Sequence, residues 1–192
     1  MKEFKTQDFP EVYKELGIKI SDLGCVMLDC EPPFGDMSKF GDLDLYTSKN
    51  PDHGWIKGWV AGKHPHITLL YGLMKPAREY KVQINQVLKD WEYKEAEIEE
   101  IGFFDSPYED EQYWCIVAHI KVTPELLEGH QRLELLPHIN TFAGYKPHMT
   151  IAYITKKRGI RYRDMVISSM NDKWSGKMMK VSSLLNLGSV DK

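Results

Sequence analysis

Two nine-residue segments of this chain repeat one pattern: His64-Pro65-His66-Ile67-Thr68-Leu69-Leu70-Tyr71-Gly72 and Lys146-Pro147-His148-Met149-Thr150-Ile151-Ala152-Tyr153-Ile154. Both read Pro-His-apolar-Thr-apolar-x-Tyr. A single His-x-Thr/Ser carries little information, because 7 histidines and 17 Ser/Thr in 192 residues give roughly 0.6 such tripeptides by chance. Two with matched flanks constrain the fold. In an extended strand alternate side chains share a face, so His66 and Thr68 oppose Ile67, Leu69 and Tyr71, and His148 and Thr150 oppose Met149, Ile151 and Tyr153. Each strand then has an apolar side to pack beneath helices and a polar side that ends in an imidazole and a hydroxyl.

The rest of the pattern supplies an element set around each motif. Residues 24–30 form an apolar run of strand length, stopped by Glu31-Pro32-Pro33. After it, 32–63 is a Gly-, Asp- and Lys-rich insert in which 54–60 can pair as a short strand or hairpin; so long a connection is usually functional or mobile. A strand at 65–72 leads to a helical pattern at 78–91, then to strands at 96–104 and 112–123. Thr123-Pro124-Glu125 opens a second helix, with Thr as cap and Pro in the first turn, that runs to 136. A strand at 145–154, a helix at 161–171 and a strand at 177–188 complete the chain. Residues 8–17, within a peripheral 1–20, read as a short helix opened by Asp8 and closed at Gly17. Short strands mixed with helices predict an α+β domain with antiparallel sheet. The repeated motif predicts a duplicated unit, two lobes facing one cleft within a single domain over 1–192.

Composition excludes several classes. No stretch approaches the roughly 18 apolar residues of a membrane span, and Met1-Lys2-Glu3-Phe4-Lys5 lacks a secretory core, so a cytoplasmic protein without membrane contact is expected. Cys25, Cys30 and Cys115 have neither disulfide-framework nor zinc-ribbon spacing and are expected as small buried side chains. The net charge of −3 argues against a general DNA coater. It hides a basic C-terminal quarter, however, in which 144–192 carries 10 Lys/Arg against 3 Asp/Glu. Lys146, Lys156, Lys157, Arg158, Arg161 and Arg163 can present a solvated face or receive one phosphorylated ligand. Phosphate-loop, dinucleotide and hydrolase-elbow glycine motifs are absent.

A cleft lined by two imidazoles and two hydroxyls suits phosphoester chemistry. One imidazole takes a proton from the attacking hydroxyl while the other gives one to the leaving oxygen. The Thr hydroxyls hold the non-bridging oxygens. In these residues the chain resembles the 2H phosphoesterases, named for two His-x-Thr/Ser motifs in a bilobal, LigT-like α+β fold. The resemblance covers about 22–189, with 179–187 similar to the family's closing strand. It implies a phosphodiesterase working without metal or other cofactor on nucleotides or short oligonucleotides, with His66, Thr68, His148 and Thr150 in the site. Which histidine is the acid stays open, as does the oligomeric state. The insert before the first motif also resembles phage members of the superfamily, among them anti-CBASS enzymes that cleave cyclic oligonucleotide messengers. Opening of 2′,3′-cyclic phosphates, RNA-end processing of the 2′-5′ RNA ligase kind, and ligand sequestration without turnover are the alternatives.

Other residues divide into binding candidates and structural ones. Tyr145 and Lys146 precede the second motif, the lysine sharing the His148 face, and His64 lies at the rim of the first. Tyr71, Tyr113, Trp114, Phe142 and Tyr145 are candidates to stack on bases, although core packing explains each one as well. Trp55 and Trp59 are candidates for a lid. His64 and His66 can also be read as metal ligands with His148 or Asp52, but that reading leaves the second Pro-His-x-Thr without a use. His119, His130 and His138 are expected to be structural.

Overall fold

A computed structural model describes Gly17 and residues 23–34, 43–139 and 144–189. The expected helix over 8–17, apart from Gly17, and Phe142 lie outside these residues. The described strands are β1 (Gly24–Glu31), β2 (His66–Leu73), β3 (Glu95–Asp105), β4 (Tyr113–Ile120), β5 (His148–Thr155) and β6 (Met178–Ser189). Three α-helices are described: α1 (Lys81–Val87), α2 (Pro124–Leu133) and α3 (Gly159–Trp174). All strand pairs are antiparallel, in the order β2-β1-β6-β3-β4-β5. The α+β architecture with an antiparallel sheet is thus present. Its two halves, β2-β1-β6 and β3-β4-β5, join where Glu95–Glu97 pair with Met178–Lys180.

The halves repeat one another in detail. Pro65 and Pro147, just ahead of β2 and β5, accept backbone hydrogen bonds from Cys30 and Ile120, each at 3.0 Å. Proline at this position costs no ladder donor. Farther along, each motif strand carries an extra residue at the matching place, and β2 carries a second, Gly72, between Tyr71 paired with Cys25 and Leu73 paired with Gly24. Thr68 pairs with Met27 and Leu70 with Val26, leaving Leu69 over; Thr150 pairs with Val117 and Ala152 with Ile116, leaving Ile151 over. Such bulges free a carbonyl from the ladder, and both carbonyls find partners. His130 Nδ1 of α2 donates to Leu69 O at 2.7 Å, and the amides of Val60 and Ala61 donate to Ile151 O at 3.0 and 3.1 Å.

The bulges correct the strict two-residue alternation expected from the sequence. Cross-strand partners share a face: Cys25 faces Tyr71 and Met27 faces Thr68, while Cys115 faces Tyr153 and Val117 faces Thr150. Tyr71 and Tyr153 therefore stand on the motif face rather than on the apolar one.

On the opposite face one apolar core runs through both halves, from Ile67 and Leu69 through Ile98, Ile101 and Ile116 to Met149 and Ile151. α3 lays Tyr162, Val166, Met170 and Trp174 on it, one per turn. The Asn171 side chain of α3 closes two hydrogen bonds with the backbone of Ile101, at 2.7 and 3.0 Å. α2 is capped as expected, Thr123 Oγ1 accepting from Leu126 N at 3.2 Å behind Pro124.

The expected 78–91 helix is shorter: a 3₁₀ turn at Ala77–Tyr80, then α1. It ends before Asp90, whose φ is +62°, and Trp91 turns onto α2, donating from Nε1 to Glu125 O at 2.8 Å. A Cβ on Gly129 would lie 2.3 Å from that indole ring. Gly129→Ala is expected to destabilise the fold by about 1–3 kcal/mol, read as a lower denaturant midpoint.

Residues 43–63 of the expected insert run along the free edge of β5. Tyr46 N donates to Tyr153 O, Tyr153 N to Gly58 O and Thr155 N to Asp44 O, at 2.8–2.9 Å. This covers an edge that would otherwise be open to other strands. The segment is fastened by Glu111, 2% exposed, which accepts from Ser48 Oγ, from Tyr46 Oη at 2.5 Å and from His53 Nδ1 at 2.8 Å. Burial opposes ionisation of Glu111, but these hydrogen bonds outweigh it and hold the carboxyl below its usual range. A depressed folded-state pKa contributes stability above the unfolded value and loses it as pH falls through the folded one. Wild type is therefore expected to lose midpoint more steeply than Glu111→Gln below about pH 4.5 in acid denaturant titrations.

Candidate active site

Each motif histidine opens its strand with the ring tied back to the chain. His66 Nδ1 lies 2.8 Å from His64 O, and His148 Nδ1 lies 2.9 Å from Lys146 O. A carbonyl can only accept, so Nδ1 carries the hydrogen in both rings and Nε2 is left for chemistry. A neutral ring then presents a lone pair at Nε2, and a charged ring presents a proton there.

The threonines are also matched. Cys25 Sγ and Cys115 Sγ each lie 4.0 Å from a motif hydroxyl, Thr68 Oγ1 and Thr150 Oγ1 respectively. Burial pushes both thiols up to about 12, so they stay protonated and donate. Each Thr oxygen thereby accepts from beneath, and its own hydrogen is left to donate outward.

The two motifs meet although β2 and β5 stand at opposite ends of the hydrogen-bonded order. The outer strands touch; beside them Tyr145 Oη donates to Thr68 O at 3.2 Å, and Cys30 Sγ of β1 lies 3.5 Å from Met149 Sδ of β5. The imidazoles are near enough to sense each other: burial lowers the pKa of His148, and the charges of His119 and His66 add to the effect. All four motif side chains keep partial solvent exposure.

The other candidates fall into two groups. On the motif face, Tyr71 packs against Leu23 and Ile139, and Tyr113 meets Tyr153 edge to face with ring centres 5.0 Å apart. Lys146 and His64 are exposed beside their histidines. Tyr145, with its hydroxyl on Thr68 O, also stacks on His130 at 3.9 Å, so it joins the halves. Trp114 faces the helix layer, 5% exposed beneath Arg163, and does not reach the motif face.

Half of the basic stretch is engaged elsewhere. Lys156 pairs with Asp105, Arg158 with Asp44 and Arg163 with Asp164. Trp59 packs on the core, and Trp55 meets Tyr153 edge-on at 6.1 Å. His53, Asp110 and Glu111 offer ligand atoms within 4.8 Å of one another, although Glu111 already serves as the fastening of the 43–63 segment.

Sequence reasoning missed four residues. His119 pairs across the ladder with His148, and Asp29 with His66. Asn186 Nδ2 donates to Asp29 Oδ1 at 3.0 Å, and Phe104 meets His148 edge-on at 4.9 Å. The available signal was Gly102 inside a strand, which marks a close approach: a Cβ there would lie 2.6 Å from His119 Nε2.

Compared with known families, residues 49–185 match the model of the 2′-5′ RNA ligase superfamily. No curated protein matches the chain. Solved structures similar to it include Usb1 of Kluyveromyces marxianus, 12% identical over 88% of this chain and 95% of that one, with a TM-score of 0.48. The same protein with uridine monophosphate is 12% identical over 88% of this chain and 100% of that one, with a TM-score of 0.45.

Proposed function

Since the chain belongs to the 2′-5′ RNA ligase superfamily of 2H phosphoesterases, we propose that it cleaves phosphodiester bonds of short oligonucleotides by two-histidine acid/base catalysis without a metal. The observation that carries this reading is the matched anchoring of the motif rings. Both Nδ1 atoms are bound to backbone carbonyls, so two Nε2 atoms are available to a phosphodiester between them. The nucleophile's oxygen bonds phosphorus as its proton passes to one Nε2. The bond to the leaving oxygen breaks as that oxygen takes the proton of the other. Thr68 and Thr150 donate to the non-bridging oxygens, where charge builds up. Tyr71, Lys146 and His64 border this position and are the residues assigned to the bound nucleotide.

The substrate named first is a cyclic oligonucleotide messenger, whose 3′-5′ or 2′-5′ bonds a phage counter-defence enzyme would open. A second reading is opening of 2′,3′-cyclic phosphates or other RNA-end processing. Among the described residues, 43–63 line the β5 edge, and the motif residues keep partial solvent exposure, which is compatible with an RNA end.

The test is incubation in EDTA with cyclic di- and trinucleotides, a 2′,3′-cyclic mononucleotide and 2′-5′ oligoadenylate, read by chromatography and mass. Cleavage is expected to persist in EDTA and to fall about 10²–10⁴-fold in His66→Ala and in His148→Ala, with unchanged circular dichroism. Full activity in either variant overturns the reading. Ligand bound and recovered intact would establish sequestration instead.

A further inference from the structure

The two halves match in their histidines, threonines, cysteines, bulges and proline carbonyls, so the place where the match breaks carries information. It breaks at the cross-strand neighbour of each catalytic ring. His66 faces Asp29 across the β1–β2 ladder, and His148 faces His119 across the β4–β5 ladder. Directly paired side chains on one face stand with their Cβ atoms about 4.5–5.5 Å apart. One half thus offers an imidazolium a countercharge, and the other offers it a second imidazole.

His119 is held there by shape. Its ring lies against the bare Cα of Gly102, where a Cβ would come within 2.6 Å of Nε2 and 2.8 Å of Cδ2. Phe104 closes the other side, edge-on to His119 at 5.6 Å and to His148 at 4.9 Å. In the first half, Gly188 pairs with Cys25 as Phe104 pairs with Cys115. The aromatic wall therefore stands beside His148, and Gly188 takes the matching ladder position in the first half.

We propose that His119 is a positioning residue that sets the direction of the reaction, holding His148 in its neutral, proton-accepting form so that His148 is the general base and His66 the general acid. This rests on the two-histidine reading above. The charged and titratable groups around the pair are His66 on β2, Glu99 and Glu100 on β3, and Lys146 at the start of β5. Burial lowers His148, and the Lys146 carbonyl opposes this; the charges of His119 and His66 lower it further. Burial likewise lowers His119, against the pull of Glu100 and Glu99. Two adjacent imidazoles in a partly desolvated site resist charging together. Asp29 is exposed, so its field is screened, while burial, the larger cause, and the adjacent His119 both act on His148.

The direction of proton transfer is then set. The nucleophile enters on the Phe104 side and loses its proton to His148 Nε2 while its oxygen bonds phosphorus. The leaving oxygen departs on the Asp29 side with the proton of His66 Nε2. One turnover leaves His148 charged and His66 neutral, and exchange with water restores both.

The experiment has two readouts. Histidine-labelled protein is titrated by NMR without substrate, the His148 signal being assigned by its loss in His148→Ala. In wild type its midpoint is expected below the free-histidine range, and in His119→Gln it is expected to rise by about half a pH unit. The acidic limb of the rate profile, measured on whichever substrate is cleaved, is expected to rise equally while the alkaline limb stays. A wild-type His148 midpoint at or above the free-histidine range overturns the inference without recourse to any variant. An unmoved midpoint in folded His119→Gln, or a shift confined to the alkaline limb, also overturns it. A shifted midpoint with no panel substrate cleaved supports the coupling of His119 to His148 and counts against the function proposed above, so the two failures are distinguishable.

Discussion

Everything functional here depends on contact between two strands that never pair. β2 and β5 close the two ends of the sheet order, and each half could satisfy its own ladder without the other. They are joined by the shared core under the sheet, the thiol of Cys30 against Met149, and the Tyr145 hydroxyl on the Thr68 carbonyl. That hydroxyl compensates a backbone acceptor while fixing the spacing of the motifs. Since positioning errors of about 1 Å can cost a hundredfold in rate, core packing is here a part of the chemistry.

Within that frame, duplication solves one problem twice and asymmetry solves another. The repeated devices, a proline carbonyl, an anchored Nδ1, a thiol beneath a hydroxyl and a bulge, present the same atoms from both sides. A symmetric pair of rings would leave the direction of proton transfer undetermined. Asp29 in one half and His119 in the other make the surroundings of the two rings unequal, without altering the strands that carry the motifs.

Much of this was legible from residue order. The motif strands, the Thr123 cap with Pro124, and the helix expected at 161–171 arise from local rules, and all are present. Alternation puts Tyr71 and Tyr153 on the apolar face because it assumes an unbroken ladder, and the extra residue at Leu69 and at Ile151 turns each tyrosine to the motif face. Trp114 looked available for stacking, yet its position in β4 points it into the helix layer. The shortening at Asp90 has a tertiary cause, Trp91 filling the space that Gly129 leaves on α2, which no periodicity reports. His119 was set aside because an isolated histidine in an apolar strand is usually structural; its partner lies 29 positions away in sequence and beside it in the sheet.

The sequence by itself determined the two repeated motifs and the class of sheet that carries them, because strand alternation and proline act over a few residues and a repeated pattern survives without coordinates. Only the tertiary structure decided which neighbours those residues have. Strand order, bulge register and the approach of β2 to β5 arise from burying one common core, a term summed over the whole chain, so the surroundings that distinguish His66 from His148 are visible in the fold alone.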